Sequence, residues 1–124
     1  GTGRFLEVIA NVLCIRLADV LLMAAEAYNR GGLGDGMALD YVNRVRTRAG
    51  LEDVTETGVS LTEIIYNERR LELLGEGHHF FDLVRTVRLY VVIDGFVSGK
   101  HELFPIPSIE IELAGNRWAQ NPGY

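Results

Sequence analysis

The stretch "RLADVLLMAAEAYNRGGLGDGMALDYVNRVRTRAG", Arg16 to Gly50, decides the fold. From Ile15 to Arg30 the apolar positions Leu17, Leu21, Ala24 and Tyr28 recur at helical spacing. Ala18, Leu22 and Ala25 widen that stripe until only Asp19, Glu26 and Arg30 remain clearly polar, which predicts a well-buried helix. The glycines of "NRGGLGDG" then supply a helix stop and a turn. A second helix is predicted from about Met37 to Ala49, with Ala38, Val42, Val45 and Ala49 on one face and Gly50 ending it. Two helices joined by so short a turn make an antiparallel helix pair.

Downstream, "LEDVTETGV" is a polar connector, and "SLTE" has the spacing of a capping box with Ser60 as N-cap and Glu63 reaching back. A third helix is therefore expected from near Leu61 to the glycines at 75 and 77, carrying Leu61, Ile64, Ile65, Leu71 and Leu74 inward. A fourth helical piece, His78 to about Thr86, is apolar almost all round through Phe80, Phe81, Leu83 and Val84. After Arg88 the β-branched and aromatic residues, glycines and prolines predict short strand or loop, not helix. The tail "GNRWAQNPGY" is irregular, and Trp118 and Tyr124 are expected to pack back on the helices, since large rings are costly to leave loose. The fold class is all-α: two antiparallel helix pairs with an irregular C-terminal segment, in one domain over residues 1–124.

Composition fits this reading and narrows the function. The chain has 124 residues, 48% of them apolar, enough for a single core. Its net charge is -5 and its arginines are dispersed among acidic residues, which argues against a nucleic-acid partner. Cys14 is the only cysteine; among Val12, Leu13 and Ile15 it is expected to be a buried small hydrophobe. No apolar run reaches the roughly 18 residues needed to cross a bilayer, and "GTGRFLEVIA" lacks the order of a signal peptide.

The densest polar stretch is "NERRLELLGEGHHFFDLVRT", Asn67 to Thr86. Consecutive histidines on a helix point about 100° apart, so His78 and His79 cannot close on one ion, and no metal site or cofactor is expected. Asp82 is placed to hold one imidazole. Glu68 shares a face with Ile64, Ile65 and Leu71, so its carboxylate must find a cation, with Arg16 and Arg85 as candidates. Asp82 with Arg85, and Asp19 with Arg16, have the helical i, i+3 spacing that lets charges pair. Arg16, Asp19, Glu68, Arg69, Asp82 and Arg85 are thus expected to form a polar lock between helices. No catalytic residue is assigned, because no nucleophile, phosphate loop or zinc spacing accompanies these carboxylates.

Taken in order, "RLADVLLMAAEAYNRGG", "ALDYVNRVRTRAGL", "LTEIIYNERRLELLGEGHHFFDLVRT", "FPIPSIEI" and "QNPGY" resemble the C-terminal portion of the SusD/RagB family. The resemblance runs from about Asn11 to Tyr124. It implies a fold of tetratricopeptide-like helix pairs and a lipid-anchored outer-membrane protein of Bacteroidetes. Such proteins bind a nutrient, commonly a glycan, and work with a TonB-dependent, SusC-like transporter; they are not enzymes. By the family pattern, Arg16, Asp19, Glu26, Asn67, Glu68, Arg69, Arg70, Glu72, Gly77, Asp82, Leu83 and Arg85 fall at signature positions. Pro105, Pro107, Gln120, Asn121 and Pro122 match its closing segment. Family members are several times longer, Cys14 does not stand where a lipidated cysteine would, and no ligand-binding residue transfers by motif. The rival reading is a free-standing tetratricopeptide-like protein-interaction module; a hydrolase using Glu68 or the histidines is more distant.

Overall fold

The computed structural model describes residues 14–124; the N-terminal "GTGRFLEVIA" lies outside them. The described residues form six helices and no strand: α1 Leu17–Arg30, α2 Asp35–Arg48, α3 Gly58–Glu72, α4 His78–Arg85, α5 Leu89–Val92 and α6 Ser108–Leu113. They fall into two compact units that divide between Leu74 and Gly75.

In the first unit, α1 and α2 form the helix pair and α3 packs on both. Its core is Ala18, Leu22 and Ala25 from α1, Ala38, Val42 and Val45 from α2, and Leu61 and Ile65 from α3. Small residues on the facing sides of α1 and α2 let the two backbones approach, and the larger Leu22, Leu61 and Ile65 fill the space between three helices. The turn after α1 is a Schellman closure: Leu33 N–H donates to the Tyr28 carbonyl at 3.1 Å, with Gly32 in the left-handed region at φ 68°. α2 ends the same way on Gly50, φ 75°, with Leu51 N–H donating to the Arg46 carbonyl at 3.0 Å. The connector from residue 51 to 57 is held by Asn43, whose amide exchanges hydrogen bonds of 3.0 and 2.9 Å with the backbone of Val54.

α3 starts earlier than the capping-box reading expects. Its N-cap is Thr57, with no side-chain cap, and Ser60 lies inside the first turn. The first-turn donor is satisfied from another helix: Gly58 N–H donates to Asp35 Oδ2 at 2.6 Å. Asn29 Nδ2 donates to Asp35 Oδ1 at 2.8 Å, and Thr62 Oγ1 donates to Asn29 Oδ1 at 2.5 Å, so one polar corner ties α1, α2 and α3 together. The Gly58 N–H, and after it the Asn29 amide, hold the Asp35 carboxyl below its usual value. At the other end of α3, Leu71 and Leu74 are exposed rather than inward, while the buried residue there is Leu73. Cys14 is also exposed, not buried.

The second unit has short helices and few buried side chains, Leu83 and Leu89. Residues 89–107, expected as strand or loop, contain a helical turn instead, α5, and α6 starts directly after Pro107, whose fixed φ suits the entry to a helix. The tail is tied to the segment before α6. Gln120 accepts the Ile106 N–H and donates to the Ile106 carbonyl, both at 2.8 Å, Asn121 Nδ2 donates to the Phe104 carbonyl at 2.6 Å, and the Tyr124 hydroxyl donates to the Leu103 carbonyl at 3.1 Å. Lys100 Nζ lies 4.7 Å from the centre of the Tyr124 ring, while Trp118 stays more than half exposed.

Candidate functional site

Three residues of α3, Glu68, Arg69 and Glu72, lie at i, i+1 and i+4 and reach across to the helix pair. Arg69 Nη1 donates to Asp19 Oδ1 at 2.8 Å and to the Asp19 carbonyl at 3.4 Å. Both side chains are close to fully buried, at 4% and 6% exposed. One residue back, Glu68 Oε2 accepts from Arg46 Nη1 at 2.9 Å. One turn on, Glu72 Oε1 accepts from Arg16 Nη1 at 2.8 Å and from Arg48 Nη2 at 2.6 Å, and Arg16 Nη2 also donates to the Glu72 carbonyl at 2.7 Å. Arg16 therefore closes both a side-chain bond and one of the carbonyls left open at the end of α3.

Four of the six residues expected in the polar lock are thus at the helix interface, with different partners from those expected. Glu68 pairs with Arg46, not with Arg16 or Arg85, because α2 lies against that face of α3. Asp19 pairs with Arg69 on α3, not with Arg16 three residues earlier. The helical geometry points Asp19 inward with Leu22 and Ala25, and only a cation from across the interface reaches it there. Asp82 and Arg85 do pair, at 2.9 Å through Nε and 2.7 Å through Nη2, within the second unit. Among the described residues neither His78 nor His79 hydrogen-bonds to Asp82. Sequence reasoning missed Arg46 and Arg48 as the partners of Glu68 and Glu72. Their signal was present: two arginines two residues apart in the last turn of α2, facing a helix that carries Glu68 and Glu72 one turn apart.

The electrostatics at Glu72 are uneven. Burial pushes its carboxyl up, and the hydrogen bonds and charges of Arg16 and Arg48 more than reverse this, leaving it below its usual 4.5. A carboxylate held this way is a poor proton donor at neutral pH. Among the described residues no group of three or more His, Cys, Asp or Glu side chains is arranged to hold a metal ion, and no helix is long and apolar enough to cross a membrane. Its ion pairs run from α3 to α1 and α2 and to Arg16 ahead of α1.

Next to these ion pairs, a groove of about 330 Å³ opens between α1 and α2, with Leu17, Leu21 and Val45 below and Arg16, Arg44 and Arg48 around it. A shallower depression, which includes Asp40 and Asp53, shares Arg44 and Arg48 with it.

The model of the SusD family matches residues 9–94, a span that contains the α1–α2 pair, all of α3 and its ion pairs, and α4. The chain belongs to the SusD family. Over its full length it is 32% identical to SusD-like protein P2 of Formosa agariphila, of which it covers 28%. A SusD homolog from Bacteroides thetaiotaomicron has the same fold, with a TM-score of 0.80 at 30% identity over 88% of this chain and 25% of that one. A SusD-like protein from Bacteroides fragilis superposes with a TM-score of 0.78 at 29% identity, over 90% of this chain and 26% of that one. The chain spans about a quarter of the length of these relatives. Within this SusD-family chain, Asp19, Arg46, Arg48, Glu68, Arg69 and Glu72 all fall inside the matched segment.

Proposed function

We propose that this chain is the C-terminal portion of a SusD-like receptor component. The receptor binds a nutrient, commonly a glycan, on the outer face of the outer membrane and works with a TonB-dependent, SusC-like transporter. The chain itself is scaffold: it binds no metal and catalyses nothing, and the ligand is held by upstream parts of the protein. The observation that carries this reading is the family match through the ion-paired three-helix unit, combined with coverage of only about a quarter of each relative. Residues 1–124 then form one SusD-like C-terminal helical domain. In this reading Arg16, Asp19, Glu68 and Arg69, with Arg46 and Glu72, are a structural lock that sets the relative positions of α1, α2 and α3, and the Asp82–Arg85 pair stiffens α4.

The test is a glycan-array and calorimetric screen of this chain beside the polypeptide encoded by the full open reading frame. Binding by the longer polypeptide alone is the expected result. Binding by neither would shift the search to protein partners and favour the tetratricopeptide-like interaction module. Binding by the short chain would overturn its scaffold role.

A further inference from the structure

The sequence contains two Asp-Gly pairs, Asp35–Gly36 and Asp94–Gly95. This dipeptide is chemically reactive, because the backbone nitrogen of the glycine can attack the side-chain carboxyl of the aspartate before it and close a five-membered imide. Glycine favours the attack: it has no Cβ to shield the nitrogen, and it lets the peptide plane rotate. The aspartates at 19, 40, 53 and 82 are each followed by a bulky residue, and no asparagine precedes a glycine. Two positions are therefore candidates, and the fold treats them differently.

Asp35 is closed to the reaction. Its carboxylate accepts from Gly58 N–H at 2.6 Å and from Asn29 Nδ2 at 2.8 Å, bonds that favour the ionised form and aim it away from its own backbone. The backbone around it belongs to the first turn of α2, where the helix fixes ψ. Ring closure there has to break the polar corner and the start of α2 together. Asp94 is open. It lies in the turn after α5, across which Phe96 N–H donates to the Ile93 carbonyl at 3.3 Å. That bond spans the 94–95 peptide without using it: neither the Asp94 carbonyl nor the Gly95 N–H is hydrogen-bonded to a described residue. The Asp94 side chain is exposed and has no hydrogen bond or ion pair with a described residue. Gly95 sits at φ 74°, and a side chain built on it would meet only open space. The central peptide of a turn rotates while the bond across the turn stays in place, and that rotation carries the Gly95 nitrogen toward the carboxyl.

We propose that Asp94–Gly95 is a site of spontaneous isomerisation, at which Asp94 becomes a β-linked isoaspartate while Asp35–Gly36 stays intact. The Asp94 carboxylate takes a proton from solvent and the Gly95 nitrogen gives up its own. The bond from that nitrogen to Cγ forms, a Cγ–O bond breaks, and one water leaves. Water then opens the imide in one of two ways. Addition at Cγ restores aspartate. Addition at the backbone carbonyl carbon of Asp94 leaves the chain running through Cγ, with the former backbone carbonyl now a free carboxylate. Nothing is oxidised or reduced, and mass is unchanged overall. The product lengthens the backbone by one carbon inside the turn, and it is the residue that a protein-carboxyl methyltransferase methylates.

The experiment is ageing of the native polypeptide of the full reading frame at neutral pH and body temperature, followed by peptide mapping with electron-transfer fragmentation, which separates the two linkages. Isoaspartate is expected at position 94 at least about tenfold faster than at position 35, with the two rates converging in denaturant, where the polar corner and α2 are gone. Methyl transfer to the aged protein by an isoaspartyl methyltransferase is expected to rise in step. Asp94→Asn reads the same ring closure with ammonia as the leaving group: it is expected to deamidate in the native protein, seen as conversion of amide to acid. Gly95→Asn keeps a residue that tolerates the left-handed region and is expected to slow isomerisation at 94. Equal rates at 94 and 35 in the native protein would overturn the proposal. So would an Asp94→Asn variant that deamidates only in denaturant, since the turn would then be shut in the whole protein. Isomerisation at 94 that Gly95→Asn leaves unchanged would rule out attack by this nitrogen and overturn the mechanism.

Discussion

In the first unit, α3 sends Glu68, Arg69 and Glu72 across to cations and anions on α1 and α2, and those pairs sit beside a core of eight buried apolar residues. In the second unit the tail sends Gln120, Asn121 and Tyr124 to backbone groups of Leu103, Phe104 and Ile106, and Leu83 and Leu89 are its buried apolar residues. The first arrangement joins long helices through charge that is expensive to break once buried. The second fixes an irregular path through neutral hydrogen bonds worth about 1 kcal/mol each. Helices present side chains and can be joined only through them, whereas an irregular segment leaves backbone N–H and C=O groups that must be satisfied one by one.

The comparison breaks most sharply at Arg69. Arg69→Met leaves Asp19 buried without its cation, and the expected cost is about 3–5 kcal/mol. For a unit of this size that corresponds to a fall in Tm on the order of 15–30 °C by circular dichroism. The double variant Asp19→Leu/Arg69→Met is expected to recover most of that loss, because a buried ion pair replaced by apolar side chains is often close to neutral. A double variant no more stable than the single one would show that the pair adds stability of its own. Glu68→Gln is the next step down: it keeps an acceptor for Arg46 and removes the charge, with an expected loss of about 1–2 kcal/mol. An unchanged melting curve would mean that α2 and α3 are held together without this pair.

Acid tests the ion pairs of the first unit by a different route. Glu72 has a carboxyl pKa lowered in the folded protein, so its contribution is fully present above its unfolded value of 4.5 and is lost as pH falls through the lower folded value. The melting temperature is expected to drop through that window, and Glu72→Gln is expected to flatten the drop. A drop of the same size in the variant would place the acid sensitivity elsewhere, with Asp35 the next candidate, since its carboxyl is also lowered.

The helix pair was legible in the sequence because its signals are local. The spacing of Leu17, Leu21, Ala24 and Tyr28 and the glycines at 32 and 50 need no knowledge of the rest of the chain. What the sequence misplaced depends on distant partners. Ser60 looks like a cap because Glu63 follows it, yet the first turn of α3 is satisfied by Asp35, 23 residues away. Glu68 on an apolar face requires a cation, but composition cannot choose among Arg16, Arg46, Arg48 and Arg85; the packing of α2 against α3 chooses. Asp19 has Arg16 at pairing distance along its own helix and takes Arg69 instead, because the side chain points into the interface. The turns of α5 and α6 were hidden for the opposite reason, since helices of four and six residues carry too few positions for a period to show.

The smallest expected effect makes the second unit end a helix as the first one does. α4 closes with the same Schellman geometry as α1 and α2, Arg88 N–H donating to the Leu83 carbonyl at 2.9 Å, but the left-handed position that holds Gly32 and Gly50 in the first unit holds Val87, at φ 56°. A β-branched residue there carries strain of about 1–2 kcal/mol. The side chain is largely exposed, so its removal gives up little burial. Glycine also adds freedom to the unfolded chain, which takes back about 0.5–1 kcal/mol. Val87→Gly is therefore expected to raise stability by a few tenths to about 1 kcal/mol, read as a rise of a few degrees in Tm. Val87→Asn is expected to do the same with less loss of chain order, because asparagine tolerates this conformation. If both variants melt lower than the parent, the valine side chain has a covering partner that outweighs its strain, and the second unit is held by burial as well as by its backbone clips.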